Sequence, residues 1–404
     1  MELLQPVVLP YAWGSRYGIA ELQGRPVPSP GPEAELWMGA HPSAPSGLER
    51  DGRWTTLDTV IAADPGHELG PRCLSRFGAR LPFLLKVLSA ERALSIQVHP
   101  SRAQAEVGYR AENERGLWPT NPARNYHDDW PKPELLYALT PFELLAGLRS
   151  PADAAGILRA LAVDQLRPLA ARLEDAATEP VLGEVFGSVL DWPAPGRAGL
   201  VADVMAACAR LAAEGGRYAR DCAAAARVSA DHPGDLGLIA LLLMRHAVLQ
   251  PGQAVFMPAG GLHVYLRGTG VEVMANSDNV VRAGLTSKHI DVPELLKLLD
   301  PAVTVPVLAP VSLPLSGGVR WFDTPALEFR LHLADLTGHS VTLPGAGPRI
   351  ILCTRGAALL HGESGGHVKV GRGESCFVSA ADGPVRGTGP AHVFLVSPGE
   401  PDEA

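Results

Sequence analysis

Short apolar runs broken by Gly and Pro make up two parts of the chain, and a long stretch of helical pattern separates them. Residues 7 to about 140 read as strands joined by turns. From 151 to about 246, Ala-rich segments place apolar residues at helical spacing. Alternation returns after Gln250, and residues 303 to 398 again predict strands and turns. The order of elements is therefore β, α, β and more β.

Short helices are predicted at three further points. Ser101 followed by Gln104 resembles a capping box and predicts a helix that continues to about Asn113. The segment PELLKLLD, residues 293–300, predicts a second short helix. Asp235 is placed to cap the last helix of the helical stretch.

The chain has 404 residues, more than one hydrophobic core usually organises, so two or three domains are expected. We predict a mainly β fold with an α insertion. Residues 1–150 and 247–302 would form one β domain that carries the functional site. Residues 151–246 would form a helical domain, and residues 303–404 a C-terminal β domain.

Composition narrows the class of protein. Apolar residues make up 46% and charged residues 19%, which indicates a globular chain, and the net charge of -8 argues against a general nucleic-acid surface. The most apolar stretch, residues 236–244, is too short to cross a bilayer. The first residues lack the pattern of a secretory signal, and five widely spaced cysteines fit reduced thiols. We therefore expect a cytoplasmic protein without a membrane partner.

The segment LSIQVHP is the most informative one for chemistry. In a strand, Ser95, Gln97 and His99 point to one face, while Ile96 and Val98 point to the other. Apolar neighbours on both sides suggest burial, where polar side chains need partners. A half-polar strand that faces solvent is the alternative, but the surroundings favour a site.

Two charged residues follow in the segment KPELLYALT. Pro133 favours an extended conformation at Lys132, so Lys132 and Glu134 are expected on the same face of a strand. Alone, such a pair is more often a surface salt bridge. Only its context makes it a candidate for a site.

A third motif has the pattern G-x5-P-x-G-x2-H. It is formed by Gly252, Pro258, Gly260 and His263, and its spacing resembles the second motif of the cupin family, whose His binds a metal in a small β-barrel. The alternative is a core histidine whose hydrogen bonds are satisfied. The match of a proline, two glycines and a histidine favours the metal ligand.

The fourth motif, NSDNVVRAGLTSKH, has the character of a loop at a pocket mouth. It supplies Asp278, Arg282 and Lys288, and Arg and Lys together suit a phosphate. By itself the motif would more often be a solvated loop. However, the chain has only five Lys against 30 Arg, and Lys86, Lys132 and Lys288 all lie beside these motifs.

Together these segments resemble class I phosphomannose isomerases, enzymes of the cupin superfamily. The resemblance spans Tyr11 to about Asp300 and loosens over the last hundred residues. It is carried by segments that follow one another in the family's order: YAWGS, AELWMGAHPSAPS, LPFLLKVLSAERALSIQVHP, KPELLYALTPFELLAG, GDLGLIALLL and the run from Leu249 to Lys288. It implies a cupin-type jelly-roll barrel that carries the site, a helical domain, and a second, barrel-like C-terminal domain.

The resemblance also implies roles for individual residues. The implied ligands of one Zn²⁺ per chain are Gln97, His99, Glu134 and His263, although the donor set would also suit iron(II). The implied catalytic residues are Arg282, Lys132 and Glu272, and the implied substrate-binding residues are Ser95, Asp278 and Lys288. Glu272 shares the His263 face only if a hairpin turn near Gly268 has an even number of residues, as the resemblance implies.

The chain departs from the family pattern at two places. Trp130-Pro131 stands where many members have Asn-His, and Thr286-Ser287-Lys288 stands where many have Thr-Pro-Lys. A mechanism that gives the missing His a proton-transfer task is therefore in doubt for this chain.

The implied reaction interconverts mannose 6-phosphate and fructose 6-phosphate through a cis-enediol. Two alternatives stay open at this stage, an iron-dependent cupin oxygenase and a non-catalytic sugar-binding double-barrel protein. Gln97 in place of a His, together with the cationic loop, argues against the oxygenase. The expected partner is a phosphorylated sugar. A monomer is the working expectation, and the sequence leaves open whether the enzyme serves mannose catabolism or GDP-mannose supply.

Overall fold

A computed structural model describes residues 1–313, 317–363 and 365–399. The strands are β1 Glu2–Gln5, β2 Val7–Leu9, β3 Glu35–Met38, β4 Gly47–Arg50, β5 Arg53–Thr56, β6 Phe83–Ala90, β7 Ile96–Val98, β8 Glu134–Ala138, β9 Phe142–Leu148, β10 Met244–Leu249, β11 Ala254–Met257, β12 His263–Ala275, β13 Val281–Gly284, β14 Val307–Leu308, β15 Val311–Ser312, β16 Val319–Trp321, β17 Arg330–Thr337, β18 Val341–Leu343, β19 Arg349–Gly362, β20 His367–Gly371, β21 Ser375–Val378, β22 Val385–Thr388 and β23 Pro390–Ser397. The helices are α1 Gly18–Leu22, α2 Leu57–Ala63, α3 Pro65–Phe77, α4 Arg102–Glu114, α5 Pro151–Leu161, α6 Arg167–Asp175, α7 Glu179–Leu190, α8 Arg197–Glu214, α9 Ala219–Ser229, α10 Gly237–Leu242 and α11 Val292–Leu298. Two 3₁₀ turns lie at Asp164–Leu166 and Ala380–Asp382.

Two large antiparallel sheets organise the described residues, which confirms a mostly β fold with helices. One sheet has the order β14-β11-β8-β12-β6-β3-β2, and strands β7, β9, β10 and β13 join it beside β12. The other has the order β15-β16-β17-β23-β19-β21-β1-β4-β5, joined by β18, β20 and β22. We call them the site sheet and the distal sheet. A continuous apolar cluster, which includes Val271 of the site sheet and Phe377 of the distal sheet, packs between them.

Strand β12 is the central strand of the site sheet, and it corrects one prediction. No turn interrupts it near Gly268, so the predicted hairpin between His263 and Glu272 is wrong. Its first part pairs with β7 and β9, and its second part pairs with β6 and β8. A bulge between Tyr265 and Arg267 shifts the register. Gly268 has φ 138°, and a Cβ there would lie 2.7 Å from Phe142, so only glycine suits this bend.

Three of the first five strands, β1, β4 and β5, do not belong to the site sheet. Strand β1 lies between β21 and β4, and β5 follows β4 at the edge of the distal sheet. Residues 2–5 and 47–56 therefore pair within the sheet of the C-terminal strands, although the sequence grouped residues 1–150 with the site. Pairing across more than 370 residues leaves no local signal in sequence.

The helical stretch packs against the back of the strands that bear the site. Ile96 and Val98 are fully buried among side chains of helices α5–α10, while Gln97 between them faces a cavity. The predicted alternation along LSIQVHP is thereby confirmed. Strand β10 begins at Met244, inside the stretch predicted as helical, and pairs with β9.

The predicted local helices are confirmed. Ser101 and Gln104 form the capping box of α4, and α11 covers most of PELLKLLD. Asp235 is not the N-cap of α10, because Leu236 occupies that position and no side chain caps the helix. Instead, one oxygen of Asp235 accepts the backbone N–H of Gly237 and the other accepts the N–H of Leu285. None of the helices in the described ranges has the length and apolar character needed to cross a bilayer.

Candidate metal centre and substrate cavity

Three buried side chains from three strands converge at the centre of the site sheet. His99 follows β7, Glu134 begins β8, and His263 begins β12; their nearest donor atoms all lie within 4.8 Å of one another. His99 and His263 are 0% exposed and Glu134 is 3% exposed. The Nε2 atoms of the two imidazoles lie 3.3 and 3.4 Å from the two oxygens of the Glu134 carboxylate.

The hydrogen bonds of the two imidazoles show which ring nitrogen carries the hydrogen. Nδ1 of His99 lies 2.7 Å from the carbonyl oxygen of Asn279, and Nδ1 of His263 lies 3.1 Å from that of Gly261. Because a carbonyl oxygen only accepts, each Nδ1 carries the hydrogen, and in the neutral ring Nε2 presents a lone pair. Burial lowers the pKa of His99 to about 4, against the opposing charge of Glu134, so that ring is neutral near pH 7.

Two lone pairs therefore face a carboxylate in a space closed to water. Nε2 of both histidines and Oε2 of Glu134 are buried and have no hydrogen-bond partner in the described ranges. Such an arrangement is stabilised by a cation held between the donors. Two imidazoles and a carboxylate are a donor set that Zn²⁺ accepts.

Gln97, the fourth predicted ligand, lies beside this cluster. It pairs directly with His263 between β7 and β12, and it faces the same cavity as Glu134. Gln97 also pairs with Arg282 on β13, so β7 joins the histidine cluster to the cationic segment.

A cavity of about 600 Å³ opens above the cluster. Its walls contain eight of the ten predicted site residues, and the other two, His99 and His263, are buried against Glu134, which lines the cavity. The eight residues are Ser95, Gln97, Lys132, Glu134, Glu272, Asp278, Arg282 and Lys288. The four sequence motifs therefore meet at one cavity.

Glu272 is a buried carboxylate on the wall of this cavity. It is 3% exposed, and one of its oxygens lies 3.6 Å from Nζ of Lys86. Burial, with the charge of Glu134, raises the pKa of Glu272 to about 7 despite the nearby lysine. A carboxyl group with this pKa exchanges protons readily near neutral pH.

Lys86 and Glu35 extend the charged wall. Lys86 is buried, and its Nζ also lies 3.8 Å from Glu35 and 4.8 Å from the ring centre of Trp37. Burial opposes the charge of Lys86, but the surrounding carboxylates outweigh it and raise its pKa. This residue is therefore a buried cation in the wall of the cavity.

Arg282 and Lys288 are the cations of the cavity without a carboxylate partner. Neither makes an ion pair within the part of the chain that the structure describes, whereas Lys132 lies 3.3 Å from Glu134. Burial lowers the pKa of both groups, and the charge of Arg282 contributes to the lowering at Lys288. Two uncompensated cations at one side of a cavity favour an anionic ligand.

Asp278 lies at the mouth of the cavity and is held by a buried histidine. Nε2 of His41 is 3.3 Å from its carboxylate, while Nδ1 of His41 accepts the backbone N–H of Ser43. Burial works against the charge, but the contact with His41 outweighs it and lowers the pKa of Asp278 to about 2. Asp278 is therefore ionised across the physiological range.

The departure from the family pattern at residues 130–131 has a structural use. Trp130 is 4% exposed, and the guanidinium groups of Arg80 and Arg102 lie 4.6 and 5.3 Å from its ring centre. The ring also packs against Phe77 of α3. The segment that precedes Lys132 is thus anchored by packing, and it brings no imidazole to the cavity.

Sequence reasoning missed several residues of the cavity wall. Glu35, Trp37, Tyr265 and the rim residues Asp231 and His232 all line it. Lys86 was noted only because lysine is rare in this chain. Glu35 and Trp37 are next to Lys86 only through the pairing of β3 with β6, a tertiary contact that the separate motifs do not encode.

Comparisons with known proteins agree over almost the full length. Residues 1–151 match the family model described as phosphomannose isomerase type I, catalytic domain. Mannose-6-phosphate isomerase of Escherichia coli K12 is 36% identical over 95% of this chain and 96% of its own length. A relative of that name from Arabidopsis thaliana is 31% identical over 94% of this chain and 89% of its own.

Solved structures give the same result. A variant of phosphomannose isomerase from Salmonella typhimurium superposes with a TM-score of 0.90 at 34% identity, covering 99% of this chain and 100% of that one. A structure titled as the zinc-bound holo form of mannose 6-phosphate isomerase superposes with a TM-score of 0.89 at 34% identity, covering 99% of each chain. On this similarity in sequence and fold, the chain belongs to the type I phosphomannose isomerase family.

Proposed function

We propose that this chain is a zinc-dependent aldose–ketose isomerase that interconverts mannose 6-phosphate and fructose 6-phosphate. The observation that carries the proposal is the cluster of His99, Glu134 and His263, whose unpartnered donor atoms lie under a cavity with two unpaired cations. Neither a plain sugar-binding site nor an oxygenase of uncharged substrates needs both features.

His99, Glu134 and His263 would hold the metal, with Gln97 as a further oxygen ligand beside His263. When bound, Zn²⁺ supplies Lewis-acid stabilisation of negative charge on a sugar oxygen. The carbonyl groups of Asn279 and Gly261 fix both rings so that Nε2 faces the metal position.

Arg282 and Lys288 would bind the phosphate of the substrate. Phosphate carries close to two negative charges at neutral pH, and neither side chain has an ion-pair partner among the described residues. Ser95 and Asp278 would bind sugar hydroxyl groups, since both line the cavity. Arg282 would also stabilise negative charge during catalysis, because it pairs with Gln97, a candidate metal ligand.

Glu272 and Lys132 are the two candidates for the group that moves the proton between C1 and C2. Glu272 is favoured, because a carboxylate base needs a pKa near the working pH and burial supplies it. Lys132 is already engaged with Glu134, which suits it to stabilising charge on the enediol oxygens.

A coupled assay that converts mannose 6-phosphate to fructose 6-phosphate tests the proposal. Turnover should disappear on chelation and return with Zn²⁺. Undiminished turnover in a sample shown to be metal-free would contradict the zinc assignment. Oxygen uptake with iron(II) in the absence of isomerisation would instead support a cupin oxygenase.

The finer predictions about the fold and the cell belong with this proposal. The site sheet would form the cupin-type jelly roll, and the distal sheet a second, barrel-like domain. A cytoplasmic location is supported by five free, buried cysteines. We retain a phosphorylated sugar as the partner, a monomer as the working state and no nucleic-acid partner.

A further inference from the structure

A hydrogen-bonded cluster of the half-buried Asp128 and the fully buried Asn279 lies outside the residues assigned above. We propose that Asn279, held in place by Asp128, is a positioning residue that sets the ring of His99 for metal binding. The inference rests on the proposed function, because it takes His99 to be a metal ligand. It assigns a task to the segment 127–130 that precedes Lys132.

The side chain of Asn279 is saturated with contacts to one backbone segment. Its Oδ1 accepts the N–H groups of His127 and Asp128 at 2.7 and 3.2 Å. Its Nδ2 donates to the carbonyl groups of Asp128 and Trp130, both at 2.8 Å. Asn279 is 0% exposed, so no water replaces these bonds. An amide is needed here because the segment offers two donors and two acceptors.

The side chain of Asp128 in turn accepts hydrogen bonds from residues 277–279. Its carboxylate accepts the hydroxyl of Ser277 at 2.8 Å and the N–H of Asp278 at 2.9 Å. It also accepts the N–H of Trp130 at 2.9 Å and Nδ2 of Asn279 at 3.2 Å. The segments 127–130 and 277–279 are therefore locked together by side chains from both.

The cluster of Asp128 and Asn279 contacts the candidate metal centre through one main-chain atom, the carbonyl oxygen of Asn279. The carbonyl oxygen of Asn279 accepts from Nδ1 of His99 at 2.7 Å, and this bond fixes both the tautomer and the orientation of the ring. The next residue toward the N-terminus, Asp278, lies at the cavity mouth. One hydrogen-bonded cluster thus couples the orientation of a metal ligand to the placement of a substrate-facing carboxylate.

The zinc affinity of the Asn279→Ala variant tests the inference without measuring activity. Truncation removes five side-chain hydrogen bonds and leaves His99 intact, so the carbonyl that orients the ring loses its support. Removal of such outer partners typically weakens metal binding about 10- to 100-fold. We expect a zinc dissociation constant raised within that range in competition with a chelating dye. We also expect an altered visible spectrum of the Co²⁺-loaded variant.

Asn276→Ala is the matched control. It makes the same truncation three residues earlier, where Nδ2 donates to a single described partner, the carbonyl of Leu81, at 3.1 Å. Its zinc affinity and Co²⁺ spectrum should equal those of the parent chain. Equal values for Asn279→Ala as well would overturn the inference.

Asp128→Asn decides the question if Asn279→Ala does not fold. This substitution keeps the shape of the side chain but places an N–H₂ group against one of its donors, so the Co²⁺ spectrum should change. An unchanged spectrum would overturn the inference. Failure of the proposed function would be recognised separately, since the parent chain would then bind no zinc or isomerise without it.

Discussion

Removal of the metal should destabilise the protein strongly, because the fold buries ligand atoms that have no hydrogen-bond partner among the described residues. His99, Glu134 and His263 each leave one polar atom without a partner. A buried polar group that lacks its partner costs about 1–3 kcal/mol. Burial of the three atoms together therefore lowers the free energy of unfolding by roughly 3–9 kcal/mol, and a bound cation would restore it.

Thermal unfolding with and without zinc measures this effect. In proteins of 150–250 residues, 1 kcal/mol shifts Tm by about 2–4 °C, and the shift is smaller in longer chains. We therefore expect Zn²⁺ to raise the Tm of the chelator-treated protein by roughly 5–15 °C. Calorimetry or a dye-based melt in excess chelator, followed by zinc addition, gives the comparison.

Glu134→Gln serves as the control for specific binding. The amide removes the negative charge between the two imidazoles and keeps the side chain's size, so most of the zinc-induced rise should disappear. The reasoning would be refuted by equal Tm values for the metal-free and zinc-loaded parent chain. It would also be refuted by an equal rise in Glu134→Gln, since the cation would then bind elsewhere.

Three further predictions concern the cavity and the helical stretch. Lys288→Ala should raise KM for the phosphorylated sugar about tenfold and leave kcat nearly unchanged, because it removes a ground-state charge contact. Steady-state kinetics would show this change. An unchanged KM would exclude Lys288 from the phosphate site. Glu272→Gln should lower kcat about 10²- to 10⁴-fold. In the parent chain, kcat should fall as pH drops below about 7, because protonation removes the base. A flat pH profile of kcat from pH 6 to 8 would exclude Glu272 as the base. Glu143→Gln should cost about 1.5–3 kcal/mol at pH 7, since Glu143 binds His246 and Arg227. Its folded pKa of about 2 lies below its ordinary value, so this stability is present above pH 4.5 and is lost as pH falls toward 2. Parent and variant should therefore converge in acid denaturation experiments, and a constant difference would contradict the assignment.

The local parts of the site were predictable from sequence because strand alternation is a local rule. Gln97 and Ile96 point to opposite faces simply because they are neighbours in a strand, and Glu134 begins its strand directly after a proline. The capping box of α4 is equally local. Each of these features depends on residues no more than a few positions apart.

Features that depend on strand pairing were not predictable in the same way. The sequence around Gly268 is typical of a turn, but a bulge and a bend within one long strand satisfy it equally well. The environment of Glu272 follows from the pairing of β12 with β6, which places Lys86 opposite Glu272. Asn279 stood inside a recognised motif, yet its contacts with residues 127–130 exist only in the folded chain.

The position of β1 in the distal sheet has a consequence for how the chain can mature on the ribosome. The hairpin of β4 and β5 joins the distal sheet through β1, which pairs with β4 on one side and with β21 on the other. Strand β21, whose Phe377 pairs with Glu2, is synthesised near the end of translation. Until then Leu4 and Leu48, both buried in the finished fold, remain open to chaperones or to other nascent chains. A fragment that stops at residue 302 would keep all three candidate metal ligands but would leave this edge exposed permanently, so the metal-binding part should not be obtainable as a well-behaved protein by truncation alone.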